Sequence, residues 1–205
     1  MKSITQFWSW FCANEHRLYS DCGASAIWDE IDQSLSPVSD ELSWEIGPLD
    51  EPRDGKKMYF AISPEFNNAL LPIVNELIGL AYVSDLWEFR RGRQRRPWDS
   101  VLEIASDNSE KHYFKKVNIA TWRHIVFKVP DTDLVDIVFE CGINFPLTGD
   151  DLDELGAMIA AGLIGELVVM ERVNCIEVID CFEARFENKA KPASWLPYAF
   201  DMKPL

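Results

Sequence analysis

The 205-residue sequence lacks the short motifs that mark common catalytic and nucleotide-binding sites. It contains no Gly-x-Gly-x-x-Gly, no phosphate-binding loop with its lysine, no Gly-x-Ser-x-Gly and no His-Glu-x-x-His. Its three histidines are far apart in the chain, so a histidine-based site would need partners brought in by the fold. These absences weigh against the readable nucleotide-binding, hydrolase and metalloprotease classes and favour a non-enzyme without deciding the question.

Long apolar runs are also missing. The longest candidate, residues 158–170, is interrupted by Glu166 and two glycines, so it does not have the composition of a membrane span. The N-terminus has one early basic residue and no apolar stretch that ends in small residues, as a signal peptide would have. We therefore expect a cytoplasmic protein that makes no contact with the membrane.

Cysteine pairs with metal or disulfide spacing are absent as well. The five cysteines form an odd set without any Cys-x-x-Cys: Cys12, Cys22, Cys141, Cys175 and Cys181. Zinc sites need closely spaced cysteines or histidines, and a cytoplasmic chain keeps its thiols reduced. We expect five free thiols, no bound metal and no cofactor. Cys141 stands between an expected strand and a glycine, but the neighbouring acids raise the pKa of a thiol and argue against a nucleophile.

Acidic residues dominate what is present. The formal net charge is −14, with eleven acids against two bases in residues 12–54 and fourteen acids against two bases in residues 131–187. Residues 55–130 reverse this balance, with twelve bases against eight acids. Such a surface repels nucleic acid and anionic lipid and attracts basic partners, although it also serves solubility alone. We expect a protein partner, either a basic one or a second copy of this chain.

An arginine-rich segment is the sharpest local feature. It consists of Arg90, Arg91, Arg93, Arg95 and Arg96, followed by Trp98. Clustered guanidinium groups beside an aromatic ring suit RNA, phosphate groups or a carboxylate-rich protein face. The net charge disfavours nucleic acid, so we expect these arginines to pair with acidic surface of the same chain or of a second copy.

A second candidate binding cluster is acidic. It comprises Asp150, Asp151, Asp153 and Glu154, directly after Thr148-Gly149. Carboxylates in this number suit a divalent cation or a basic partner, yet acids in the first turn of a helix are also explained by the helix dipole. We count the four residues as candidate partner-binding residues and expect no metal among them.

The hydrophobic pattern predicts a single α+β domain over residues 1–205. It has an N-terminal helical segment (1–41), an α+β core (42–182) and a C-terminal wrap (183–205). Helices are expected from Ser3 and over Ser25–Leu35. A strand-strand-helix-strand order occurs at 42–91 and again, with one further strand, at 122–182, which indicates an internal duplication. We expect a mixed or mainly antiparallel sheet with helices packed on one face.

Local signals place several boundaries within this order. Asn67 or Asn68 is expected to cap the helix of the first repeat, because an asparagine side chain accepts a hydrogen bond from a free backbone N–H. The helix of the second repeat is expected to end at Gly162 or Gly165. Apolar residues follow it directly, and they predict two closing strands at 166–173 and 175–182.

Three short stretches carry a resemblance to other proteins. They are Ile62-Ser63-Pro64, Leu70-Leu71-Pro72 and Ile164-Gly165-Glu166, with Trp87 in the strand that follows the first helix. They resemble the strand-to-helix turn and the helix end of a loosely defined group of bacterial proteins with no assigned activity. The resemblance implies a bacterial, cytoplasmic protein, and it brings the analogy of small acidic immunity proteins that cap secreted toxins.

These observations leave three functions open. We expect a protein-interaction module, immunity-like or regulatory, that uses its acidic faces. The first alternative is an enzyme or small-ligand-binding protein with a site assembled from dispersed residues around His124, Cys141 and the arginine-rich segment. The second alternative is an RNA-associated protein that binds through Arg90–Arg96.

The thiol expectation is directly testable. Titration of the denatured protein without reductant should find five reactive thiols, because no two cysteines have the spacing of a disulfide or zinc motif. Elemental analysis of the same sample should find no stoichiometric zinc. A count of three or one would contradict the reduced state.

Overall fold

The computed structural model describes residues 2–53, 56–97, 101–106, 113–143, 145 and 149–203. The chain divides into two compact units, Met1–Arg93 and Gln94–Leu205. We describe each unit by itself, and the single domain remains a prediction.

The first unit is a helix-covered three-stranded sheet. Its elements in chain order are α1 (Lys2–Ser20), α2 (Ser25–Leu35), β1 (Ser43–Arg53), β2 (Lys56–Ser63), a 3-10 turn (Asn68–Leu70), α3 (Leu71–Gly79) and β3 (Trp87–Arg91). The strands lie in the order β1-β2-β3, with β1 antiparallel and β3 parallel to β2. Asn67 caps the 3-10 turn, since its side chain accepts a hydrogen bond from the backbone N–H of Ala69, whereas α3 begins after Leu70 without a side-chain cap.

One face of this sheet holds the core of the first unit. Apolar residues at helical spacing on α1, among them Phe7 and Phe11, are buried against Phe60 of β2 and Trp87 of β3. Val74 and Leu77 of α3 and Ile27, Ile31 and Leu35 of α2 complete the same cluster. The aromatic stripe of the N-terminal helix is therefore core.

The second unit contains a hairpin and a four-stranded sheet. Its elements are β4 (Val101–Ser106), β5 (Tyr113–Asn118), β6 (Arg123–Lys128), β7 (Val135–Glu140), α4 (Asp150–Ile164), α5 (Glu166–Arg172), β8 (Val173–Ile179), α6 (Ala184–Glu187), β9 (Lys191–Pro192) and a 3-10 helix (Ala193–Phe200). β4 and β5 pair with each other, and the larger sheet has the order β8-β7-β6-β9. β7 is antiparallel to β6 and parallel to β8.

The two units repeat one pairing scheme, and the predicted α+β class with mixed sheets is confirmed. In each unit an antiparallel hairpin is followed by helical structure and then by a strand that runs parallel to the second hairpin strand. A connection between parallel strands must cross one face of the sheet, which is why a helix occupies that place in both repeats.

The prediction of two closing strands is wrong in its first half. Residues 166–172 form helix α5, and the strand that follows is Val173–Ile179. Gly165, at φ 90°, ends α4 and allows a new helix to begin at once. The burial pattern of α5 is helical, since Glu166 and Val169, three residues apart, are buried. A short apolar run without alternation does not distinguish a buried strand from a buried helix.

Two glycines of α4 give opposite predictions for the same substitution. A Cβ at Gly156 would lie 2.6 Å from Cγ2 of Val178, whereas a Cβ at Gly162 would meet nothing within 4 Å. Overpacking costs about 1–3 kcal/mol and exceeds the gain of about 1 kcal/mol in helix propensity. Gly156→Ala should therefore lower the free energy of unfolding, and Gly162→Ala should raise it. Urea titration of both variants measures this, and equal shifts would contradict the close helix–sheet approach.

Candidate interaction site

The arginine-rich segment begins on β3, where Arg90 is held by its own strand and by β2. Its Nε lies 2.8 Å from Oε1 of Glu88, and its guanidinium carbon lies 4.9 Å from the ring centroid of Tyr59. Tyr59 is itself buried, on the sheet face opposite the core helices. Alternation along the strand sends Arg91 to the other face, where its Nη1 donates to Oδ1 of Asn75 at 2.7 Å.

The remaining described arginines also bond within the chain. Arg93 forms an ion pair with Glu65 in the first unit. In the second unit, Nε of Arg95 donates to the carbonyl of Leu163 at 2.9 Å, and the backbone N–H of Arg96 donates to the carbonyl of Gly162 at 2.7 Å. Trp98 lies outside the described residues. The pairs with Glu88 and Glu65 match the expected pairing with acidic surface of the same chain, and a partner-binding role of the segment stays a prediction.

The acidic cluster occupies the first turns of α4, which begins at Asp150. Asp151, Asp153 and Glu154 are exposed. Oδ1 of Asp153 accepts a hydrogen bond of 3.3 Å from the backbone N–H of Val178 on β8. This bond joins the acidic end of the helix to the outermost strand of the sheet.

Two further acids lie at that strand. Asp136 of β7 is the register partner of Cys175 on β8, and its Oδ1 accepts a 2.8 Å hydrogen bond from Nδ2 of Asn174. Glu177 is exposed on β8, on the same face as the exposed Cys175. Burial and then the negative charges of Asp136, Glu177 and Asp153 raise the pKa of Cys175. Asp136 and Glu177 lie beside Cys175, and Asp153 reaches the same sheet edge from α4. We call these three carboxylates the β8 acidic site.

The basic residues nearest in sequence to the β8 acidic site interact with side chains outside that site. Residues 131–187 contain two bases, Arg172 and Arg185. The guanidinium carbon of Arg172 lies 5.1 Å from the ring centroid of Phe200, and Arg185 pairs with Glu183 at 2.9 Å. No ion pair to Asp136, Asp153 or Glu177 is found among the described residues.

A second charged group in this sheet is structural. Nη2 of Arg123 donates to Oε1 of Glu140 at 2.8 Å, Nε of the same arginine bonds to the other carboxylate oxygen, and the backbone N–H of Phe182 donates to Oε1 at 2.8 Å. The bidentate bond from Arg123 lowers the pKa of Glu140. This carboxylate therefore stays charged and ties β6, β7 and the segment after β8 together.

The residues of the alternative enzyme site are not activated. Burial, followed by the charge of Asp180, raises the pKa of the Cys141 thiol, which favours the protonated form. Burial lowers the pKa of His124 to about 4, and its Nδ1 lies 3.0 Å from the carbonyl oxygen of Pro192 on β9. A neutral histidine that fastens β9 and a protonated thiol do not form a nucleophile–base pair.

Comparisons with known proteins gave no relative: no family model, no curated protein and no solved structure matches the chain. Among the described residues no group of three or more histidine, cysteine and acidic side chains is arranged to hold a metal ion. In the same part of the chain, no helix has the length and apolar character needed to span a bilayer. The β8 acidic site thus stands on its geometry alone.

His124 gives a prediction for the dependence of stability on pH. Its pKa is about 4 in the folded chain and 6.5 for the free side chain, so the unfolded chain takes up a proton first as the pH falls. The contribution of neutral His124 is complete above pH 6.5 and is lost as the pH falls toward 4. Between pH 7 and pH 5 this linkage costs about 2 kcal/mol.

His124→Asn keeps a donor at the position of Nδ1 but does not titrate, so it serves as the matched variant. Its free energy of unfolding, measured by urea denaturation, should fall less between pH 7 and pH 5 than that of the parent protein. Parallel losses in both proteins would show that His124 is not the titrating group.

Proposed function

We propose that this chain is a protein-interaction module, immunity-like or regulatory, that binds a basic partner protein at the β8 acidic site. The observation that carries the proposal is that Asp136, Asp153 and Glu177, from three elements, all lie at the edge formed by β8. Three carboxylates at one sheet edge, with no ion pair to them among the described residues, give this edge a negative potential that attracts a basic surface.

The chemistry of the site favours protein over the other classes of partner. A net charge of −14 repels the phosphates of nucleic acid and of anionic lipid, whereas it accelerates encounter with a basic protein. The five free cysteines support a reducing, cytoplasmic setting for this encounter. Binding of this kind weakens as salt screens the charges.

Neutralising the site tests the proposal. The triple variant Asp136→Asn, Asp153→Asn and Glu177→Gln removes three charges and keeps the side-chain oxygens that accept the bonds from Asn174 and Val178. The control variant Asp29→Asn, Asp40→Asn and Glu76→Gln makes the same change in composition at exposed positions of the first unit. Both variants have the same net charge, so a difference between them reports the position of the charges.

The measurement begins with capture of proteins from the native host by the parent and both variants. A captured basic protein is then purified, and its affinity for each form is measured at two salt concentrations. We expect the site variant to bind about tenfold more weakly than the control, because each exposed charge contributes up to about 1 kcal/mol. Equal loss in both variants, or salt-independent binding, would refute the proposed site.

A further inference from the structure

We infer that β8 is an open sheet edge to which the partner adds an extended segment with lysine or arginine side chains. The inference rests on the proposed function and specifies what the basic partner presents. Main-chain hydrogen bonds would give such a strand its affinity, and charge pairing would select which segment binds.

The pairing of the sheet places β8 at one edge. Its order is β8-β7-β6-β9, and no strand pairs with the outer side of β8 within the residues that the structure describes. The carbonyl of Ile179 accepts a 2.9 Å hydrogen bond from the N–H of Cys141, so Ile179 directs its backbone groups toward β7. In a parallel pair the backbone groups of alternate residues point to opposite sides. Ile176 and Val178 therefore direct theirs outward, on the regular side of the register shift between Val135 and Asp136.

A bond from α4 confirms this direction. The backbone N–H of Val178 donates to Oδ1 of Asp153, at a distance of 3.3 Å. This is a long hydrogen bond to an exposed side chain, so an incoming main-chain carbonyl can replace it at small cost. Replacement would release the carboxylate of Asp153 to pair with a cationic side chain of the partner.

Acids flank the edge on both faces of the sheet. Glu177 is exposed on one face, and Asp153 approaches from the helix that packs on the other face, where Gly156 of α4 lies against Val178. An added strand would place successive side chains on alternate faces, so cations at either set of alternate positions meet a carboxylate. The same charges oppose pairing of β8 with β8 of a second copy, which would bring these acids together.

The length of the edge sets the length of the segment. β8 has seven residues, Val173–Ile179, and the backbone groups of Ile176 and Val178 face outward. At about 3.3 Å per residue, a segment of about seven residues would cover it. A seven-residue peptide of alternating lysine and valine, acetylated and amidated at its ends, is therefore a suitable probe.

The experiment compares this probe with a matched peptide. The control has the same sequence and charge, but four consecutive central amides are N-methylated, which removes hydrogen-bond donors from both of its edges. Affinity is measured by isothermal titration calorimetry with the full chain, and hydrogen exchange is followed at the amides of Ile176 and Val178. We expect binding of the unmethylated peptide to be at least tenfold tighter, with slowed exchange at these two amides.

Two protein variants separate charge from strand addition. Asp153→Asn with Glu177→Gln should weaken binding of the unmethylated peptide, whereas Asp29→Asn with Glu76→Gln should not. Equal binding of both peptides without exchange protection would overturn strand addition and leave the basic-partner proposal standing. Failure of both peptides to bind would count against both proposals. A dimer of the protein alone with a protected Ile176 amide would show that a second copy occupies the edge.

Discussion

The close approach of α4 to its sheet is the constraint on which the second unit depends. Gly156 has no side chain, and its backbone lies directly over Val178, Ile176 and Phe139. At this separation the first turn of the helix reaches the edge of the sheet, and Asp153 can accept the N–H of Val178. The absence of a side chain at Gly156 thus determines where α4 places the acids of its first turns.

The two units share one strand-pairing scheme but differ in the residues that surround it. In the first, both sides of the central strand β2 are occupied, and aromatic residues of α1 fill the core over its sheet. In the second, β8 takes the place of β3, but acids surround it on β7, β8 and α4. The repeated strand pairing accounts for the similar sheets of the two units. The acids around β8 distinguish the surface of the second sheet from that of the first.

Local signals in the sequence were sufficient for much of the fold. Helix α2 spans Ser25–Leu35 as its spacing of apolar residues predicts, and the Asn67 cap and the end of α4 at Gly165 follow from short-range chemistry. Helix α5 was mistaken for a strand because its apolar run is compatible with both structures. The error arose where Gly165 turns the chain without ending helical structure.

The acidic site was only half visible in the sequence. Asp153 stands out within the run of acids at 150–154, but Asp136 and Glu177 lie far from it in sequence and reach the same sheet edge only through strand pairing. That pairing includes an irregularity between Val135 and Asp136, which shifts the partner of Asp136 from residue 174 to Cys175. Register of this kind depends on tertiary packing, so the acids of neighbouring strands could not be matched from spacing alone.

The short strand β9 makes the two edges of the larger sheet unequal. It has two residues, Lys191 and Pro192; proline has no N–H to offer, and the carbonyl of Pro192 is occupied by His124. Residues 125–128 of β6 extend beyond β9 and have no further strand on that side among the described residues. The two edges of this sheet thus differ in their backbone chemistry: β8 presents N–H and C=O groups along its length, whereas β9 presents a proline and ends after two residues.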